Sequence, residues 1–304
     1  MKRIKSISEF HQFRHLPAPE HPLLSVVEIN MVKQAVETTS MTWCYDFYAI
    51  GLKRVSFSDH INFKYGQQPF DFKEGILSFV APNQLLSLSI DTKQETTQSG
   101  WLLLIHPDFL WNTSLAKSIR KYDFWDYSVH ESLFLSAREE AILIHIFQNI
   151  KQEYHANIDR FSKQIIISQM ESLLSYADRF YHRQFITREK ANHQLLEKLE
   201  TILEEYFNSA ELLKNGLPTV QYISETLHVS PGYLRGVLKV LTGQNTQQLI
   251  HDKLIEKAKQ KLSVTDCSIS EIAYTLGFEH PQSFTKLFKS KTRLSPLAYR
   301  RSLN

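Results

Sequence analysis

In the last third of the chain, apolar residues recur at helical spacing and then break off, twice, in the same way. Ile272, Ala273 and Leu276 make one stripe, and Phe284, Leu287 and Phe288 make the next. Between them Gly277 suits a left-handed helix end, and Pro281 suits the first turn of a new helix. The same skeleton stands earlier. Ile223, Leu227 and Val229 return as Ile272, Leu276 and Phe278 at an offset of 49. Leu234, Leu238, Lys239 and Thr242 return as Phe284, Phe288, Lys289 and Thr292 at an offset of 50. The one-residue slip falls in the turn, so the pattern predicts two helix-turn-helix units, the second with the longer turn. In the first unit Ser230 is the expected N-cap and Pro231 the first helical residue. Between the units, Leu249, Ile250, Leu254, Ala258 and Leu262 mark one face of a connecting helix over 246–262, about 25 Å long at 1.5 Å per residue. Successive major-groove faces of a duplex lie about 34 Å apart, so such a helix can present two recognition helices to one side of DNA.

The front of the chain has a different period. WCYDFYAIGLKRVSF, INFKYG, GILSFVA and LLSLSI are short, aromatic and β-branched runs separated by Gly, Pro, Asn or Asp. They predict antiparallel strands of a small barrel or sandwich. Two helices follow. Ser136 and Glu139 form a capping box that opens SAREEAILIHIFQNIKQEY. In the next, Ile166, Met170, Leu173, Ala177 and Phe180 step by 4, 3, 4 and 3, a heptad seam suited either to a symmetric dimer or to packing onto the strands. The polar stretch 183–194 reads as a linker. The expected organisation is α+β: a β-rich domain with a helix pair over 1–182, then an all-α domain of two helix-turn-helix units over 195–304.

Composition agrees with two soluble globular domains: 304 residues, 42% hydrophobic and 22% charged. No apolar run approaches the roughly 20 residues that span a bilayer, so no membrane partner is expected. The opening MKRIKSISEFHQFRHL is basic but lacks the apolar core of a signal peptide. Cys44 and Cys267 are far apart, which gives neither a disulfide framework nor a zinc motif and fits a cytoplasmic location. Charge adds more. The net +3 hides an asymmetry, because 232–304 carries 12 Lys and Arg against 5 Asp and Glu. A basic end on a mildly acidic body points to a polyanion partner.

The segment IAYTLGFEHPQSFTKLFKSKTRLSPLAYR resembles the DNA-binding domain of AraC/XylS-type transcription regulators, in its IA…LGF lead, its F…FK helix and its terminal SP..YR. The resemblance runs from about Leu195 to Leu303. It implies double-stranded DNA as partner, a cupin-like sensing domain in front, a homodimer, a small-molecule effector, and RNA polymerase as a further contact. One position departs: Arg293 stands where the family, and Gly243 in the first copy, has glycine. An Arg held left-handed there costs about 1 kcal/mol.

Helical phase assigns the side chains. With Phe284, Leu287 and Phe288 turned to the core, His280, Gln282, Ser283 and Lys286 are left for base edges. Thr285, Lys289, Lys291, Arg300 and Arg301 are left for phosphates. In the first unit Leu234, Leu238 and Leu241 take the core, and Gly232, Tyr233, Arg235, Gly236 and Lys239 face outward. The glycines reach nothing, so Arg235 is expected on bases, with Tyr233 and Lys239 on the backbone.

No catalytic residue, metal or cofactor is expected. The front domain has His60 and His106 but no HxH pair, and His11 and His15 have zinc spacing without further ligands. Tyr45, Phe47, Tyr48, Phe63 and Tyr65 either line an effector pocket or pack the core. Two rival readings remain at this point: a cupin-type metalloenzyme with a DNA-binding tail, and an architectural DNA-binding protein without an effector.

Overall fold

β-Branched and aromatic runs bounded by turn residues become the strands of the first unit. The structure is a computed structural model that describes residues 2–29, 41–57, 63–65, 68–70, 75–88, 96–128, 131–156, 159–187 and 189–303. The chain divides into two compact units, Met1–Gln184 and Phe185–Asn304.

In the first unit the described strands are β1 (Lys2–Ile4), β2 (Leu24–Glu28), β3 (Met41–Tyr45), β4 (Tyr48–Phe57), β5 (Phe63–Tyr65), β6 (Gln68–Phe70), β7 (Ile76–Val80), β8 (Leu86–Leu88), β9 (Thr96–Ile105) and β10 (Leu133–Phe134). One antiparallel sheet has the order β10-β7-β4-β9-β2, and a second has the order β1-β3-β8. Helix α1 (Ile7–Phe13) follows β1. Ile4 of β1, Tyr45 of β3 and Leu86 of β8 share a buried core with Ala49 of β4, Val80 of β7 and Leu104 of β9. Two sheets facing across one apolar layer make a sandwich.

That core absorbs the aromatic residues considered as pocket walls. Tyr45 stacks on Phe47 at 4.9 Å and meets Phe10 edge-on, while Tyr48 packs against Trp125 at 4.8 Å. All three are buried and packed against other aromatic rings. Phe63 and Tyr65 fall on β5, and their side chains lie outside the described residues, as does His60. His11, zinc-spaced with His15, is buried: Nδ1 donates to the Pro17 carbonyl at 2.5 Å, and the Ser25 hydroxyl lies 2.8 Å from Nε2. Burial lowers its pKa from the ordinary imidazole value, against the opposing hydrogen bond to Pro17. Among the described residues no three His, Cys, Asp or Glu side chains gather as a metal site. No described helix is long and apolar enough to cross a membrane.

After α2 (Ser114–Ser118), helix α3 (Ala137–Tyr154) opens on the expected capping box of Ser136 and Glu139. Helix α4 (Ser162–Thr187) carries the heptad seam, and the structure corrects its use. Met170, Leu173 and Ala177 are 0% exposed, and Ile166 and Phe180 are 5%, within a single protomer. The seam is therefore already buried within one protomer. A heptad looks the same whichever apolar surface covers it, which is why spacing alone left both options open.

The stretch expected as a linker is helical. α4 runs through Thr187, and α5 (Glu189–Asn208) begins two residues later. Its polar side chains are anchors. Arg183 donates to Glu139 and to the Phe134 carbonyl, both at 2.7 Å, and the Gln184 amide accepts from the Phe134 N–H at 2.8 Å. Polar composition suggested an open linker, but these side chains find partners far away in sequence.

The second unit continues with α6 (Glu211–Asn215), α7 (Val220–Leu227), α8 (Pro231–Thr242), α9 (Thr246–Val264), α10 (Ile269–Thr275), α11 (Pro281–Thr292) and α12 (Pro296–Arg301). Its starts are written in the sequence. Thr219, Ser230, Asn245, Ser268 and Ser295 each accept a first-turn N–H, a contact generally worth about 1 kcal/mol. One core runs through the unit, joining Leu203 of α5, Ile223 of α7, Leu238 of α8, Leu254 of α9, Ile272 of α10 and Phe284 of α11.

Candidate nucleic-acid interface

Gly277 makes the second turn possible. It has φ +78°, and a Cβ built there would stand 2.7 Å from the Leu212 carbonyl oxygen, so no other residue fits without movement. Helix α11 then starts at Pro281 behind His280. Phe284 and Phe288 are fully buried, 5.7 Å apart ring to ring, with Phe278 and Tyr299 completing the aromatic cluster. Gln282 and Lys286 each lie about 160° from Phe284 at 3.6 residues per turn. Both are exposed, as are His280, Ser283 and Lys289, while Thr285 is half-buried. The second recognition helix thus presents the polar face that its sequence predicts.

Two expected phosphate contacts are occupied within the protein. Lys291 pairs with Asp252 at 2.6 Å, and Arg300 Nε donates to the Leu262 carbonyl at 3.3 Å. Both tie the second helix-turn-helix unit to α9. Asp252 itself escaped sequence reading. Its other oxygen accepts from the Gln244 amide at 2.8 Å, so one carboxylate bridges the ends of both recognition helices. No spacing rule brings 244, 252 and 291 together. Arg301 remains exposed on α12.

Arg293 has φ +63°, the left-handed conformation expected from its place at the end of α11. Gly243 occupies the matching place after α8, at φ +71°. Arg293→Gly is therefore expected to stabilise the second unit by about 1 kcal/mol. A higher midpoint in urea with an unchanged slope would record it, and an unchanged or lower midpoint would count against strain at this position.

The first unit departs from expectation. Ser230 caps α8 and Pro231 opens it as expected, and Arg235 and Lys239 are exposed. Gly232 and Gly236, however, are buried although both face away from the core. Tyr233 is half-buried, with its ring edge-on to Phe185 at 5.3 Å. Its role is packing at least as much as backbone contact. Helical phase placed these residues correctly around the helix, and the ring partner of Tyr233 comes from more than forty positions upstream.

Two helix-turn-helix units on one connecting helix, sharing one core, define a doubled helix-turn-helix domain. Residues 223–302 match the protein-family model described as a helix-turn-helix domain. Over 85 residues the chain is 32% identical to the HTH-type transcriptional regulator YobQ of Bacillus subtilis, covering 28% of this chain and 35% of that protein. The raffinose operon transcriptional regulatory protein RafR of Pediococcus pentosaceus is also 32% identical over 85 residues, covering 28% of this chain and 31% of that protein. The chain thus spans about a third of the length of these two relatives. Among solved structures, the C-terminal domain of the two-component response regulator yesN from Fusobacterium nucleatum is 33% identical, covering 34% of this chain and 95% of that chain, with a TM-score of 0.30. Residues 223–302 of this chain thus form a helix-turn-helix domain.

Proposed function

We propose that the protein is a sequence-specific DNA-binding transcription regulator whose second helix-turn-helix unit reads base edges through Gln282, Ser283 and Lys286. The observation that carries this reading is the division of α11 into two faces: Phe284 and Phe288 at 0% exposure on one side, and Gln282, Ser283, Lys286 and Lys289 in solvent on the other. Gln pairs with adenine in two bonds and Lys donates to guanine, whereas Lys289, farther along the helix, sits where backbone contacts are made. The surplus of Lys and Arg over 232–304 supplies the attraction to a polyanion.

Selection of binding sites from random DNA by the full chain tests the reading. Gln282→Ala and Lys286→Ala are each expected to weaken the selected site by about 1–3 kcal/mol and to relax preference at one or two base positions. Lys289→Ala is expected to weaken all sequences alike and to lower the salt slope by about one unit. Competition with systematically altered sites separates the two patterns. Full affinity and unchanged base preference in both of the first two variants would sink the assignment.

Control by an effector or partner acting on the first unit extends the same proposal, following the resemblance to AraC/XylS-type regulators. Native mass spectrometry of the purified protein, before and after denaturation, would detect a retained small molecule or metal.

A further inference from the structure

The polar side chains of α9 reach in different directions. Lys253 pairs with Glu200 on α5 at 3.3 Å, and Lys257 donates to Asn208 at the end of α5. Asp252 reaches toward the recognition helices, and its two oxygens serve two partners. Oδ1 pairs with the Lys291 ammonium at 2.6 Å, in the last turn of α11. Oδ2 accepts from the Gln244 amide at 2.8 Å, just beyond the end of α8. These partners are not matching positions of the repeat: at an offset of 50, Gln244 corresponds to Leu294 and Lys291 to Leu241. The junction is therefore no property of one unit copied into the other, and it exists only where both units meet. An ion pair between side chains 28% and 33% exposed adds little to stability. What it fixes is direction. Leu234 and Leu238 grip the body of α8 in the core, and Phe284 and Phe288 grip that of α11. Each helix has 12 residues, about 18 Å, and Asp252 holds the far end of both.

We propose that Asp252 is a positioning residue: by holding the ends of both recognition helices to α9, it sets the spacing between the two tracts of DNA that the units contact together. The inference rests on the DNA-binding reading and adds to it a determinant of site spacing. Choice of individual bases stays with the side chains of the recognition helices. The distance and angle between the two tracts are set from behind, through one carboxylate. Linked readers gain affinity only when both engage at once, and the gain is lost where geometry forbids it. A tighter joint therefore makes the protein stricter about the length of DNA between the tracts.

Site selection by the full chain gives the preferred fragment, and hydroxyl-radical footprinting gives its two protected tracts. One base pair inserted between them should weaken the wild type about tenfold. Asp252→Ala should cut that penalty to about threefold and leave base preference within each tract unchanged. The ratio of affinities is the readout, because removing an acid raises attraction to every DNA sequence and the ratio cancels that gain. Asp252→Asn, which keeps the shape and gives up the charge, supplies the same reading if alanine disturbs folding. Exchanging the charges, Asp252→Lys with Lys291→Asp, keeps the net charge and should restore the tenfold penalty, since the Gln244 amide can turn its oxygen to an ammonium. An undiminished penalty in the folded single variant, no restoration on exchange, or a single protected tract in the wild type would overturn the proposal. Should the wild type select no DNA sequence, the DNA-binding reading itself would fail, and hydrogen exchange would decide the joint alone. Faster exchange in Asp252→Ala at both 239–245 and 288–293 upholds Asp252 as the joint between the units, and anything less removes it.

Discussion

Met170→Glu combined with Leu173→Glu is expected to unfold the first unit and not to release a folded monomer. Both side chains are 0% exposed on α4, beside Ile167 and Leu174, which are equally buried. A carboxylate without a partner in such surroundings costs several kcal/mol even after it takes up a proton, and two of them approach the total stability of an ordinary domain, about 5–15 kcal/mol. Thermal unfolding followed by circular dichroism should show the transition of the first unit lost. The second unit has its own core, so its transition should persist. Sedimentation provides the opposing outcome: a folded, soluble variant of lower mass than the wild type would return the seam to a subunit interface.

Phe284→Ala should cost about 3–5 kcal/mol and abolish binding to every DNA sequence, because the cavity lies where α11 meets the shared core. Phe284 touches both Phe278 in the turn and Phe288 one helical turn onward, at ring separations of 5.5 and 5.7 Å. Removing it loosens the turn and the recognition helix together. Gln282→Ala, two residues away and exposed, should leave the unfolding transition of the second unit where it was. The contrast isolates packing from reading on a single helix. A Phe284→Ala protein with wild-type melting and selective DNA binding would show that the recognition helix is held by something other than this aromatic cluster.

Much of the second unit is local physics, and local physics is legible. Caps at Ser230, Asn245 and Ser268, prolines at the first helical positions, and apolar residues at helical spacing set where each helix begins and which side it buries. The left-handed conformation of Arg293 followed from a single mismatch between the two copies. The exposed face of α11 followed in the same way, since 3.6 residues per turn leaves Gln282 and Lys286 no other direction once Phe284 is buried. In the first unit the aromatic and β-branched runs at 43–57 and 75–81 announced β4 and β7, while LSVVE at Leu24–Glu28, with no alternation, gave no usable signal for β2.

What the sequence by itself determined is therefore most helices of the doubled unit with their buried stripes and caps, several strands of the first unit, and the repetition of one unit in another. The tertiary structure alone decided which surface covers each stripe. The heptad seam of α4 turned inward, Tyr45 and Phe47 stacked into the core, Lys291 found Asp252, and the Tyr233 ring met Phe185. Period and propensity act over three or four neighbouring residues. A partner 39 positions away, as Asp252 is from Lys291, is chosen by how whole elements pack, and a one-dimensional pattern carries no record of that choice.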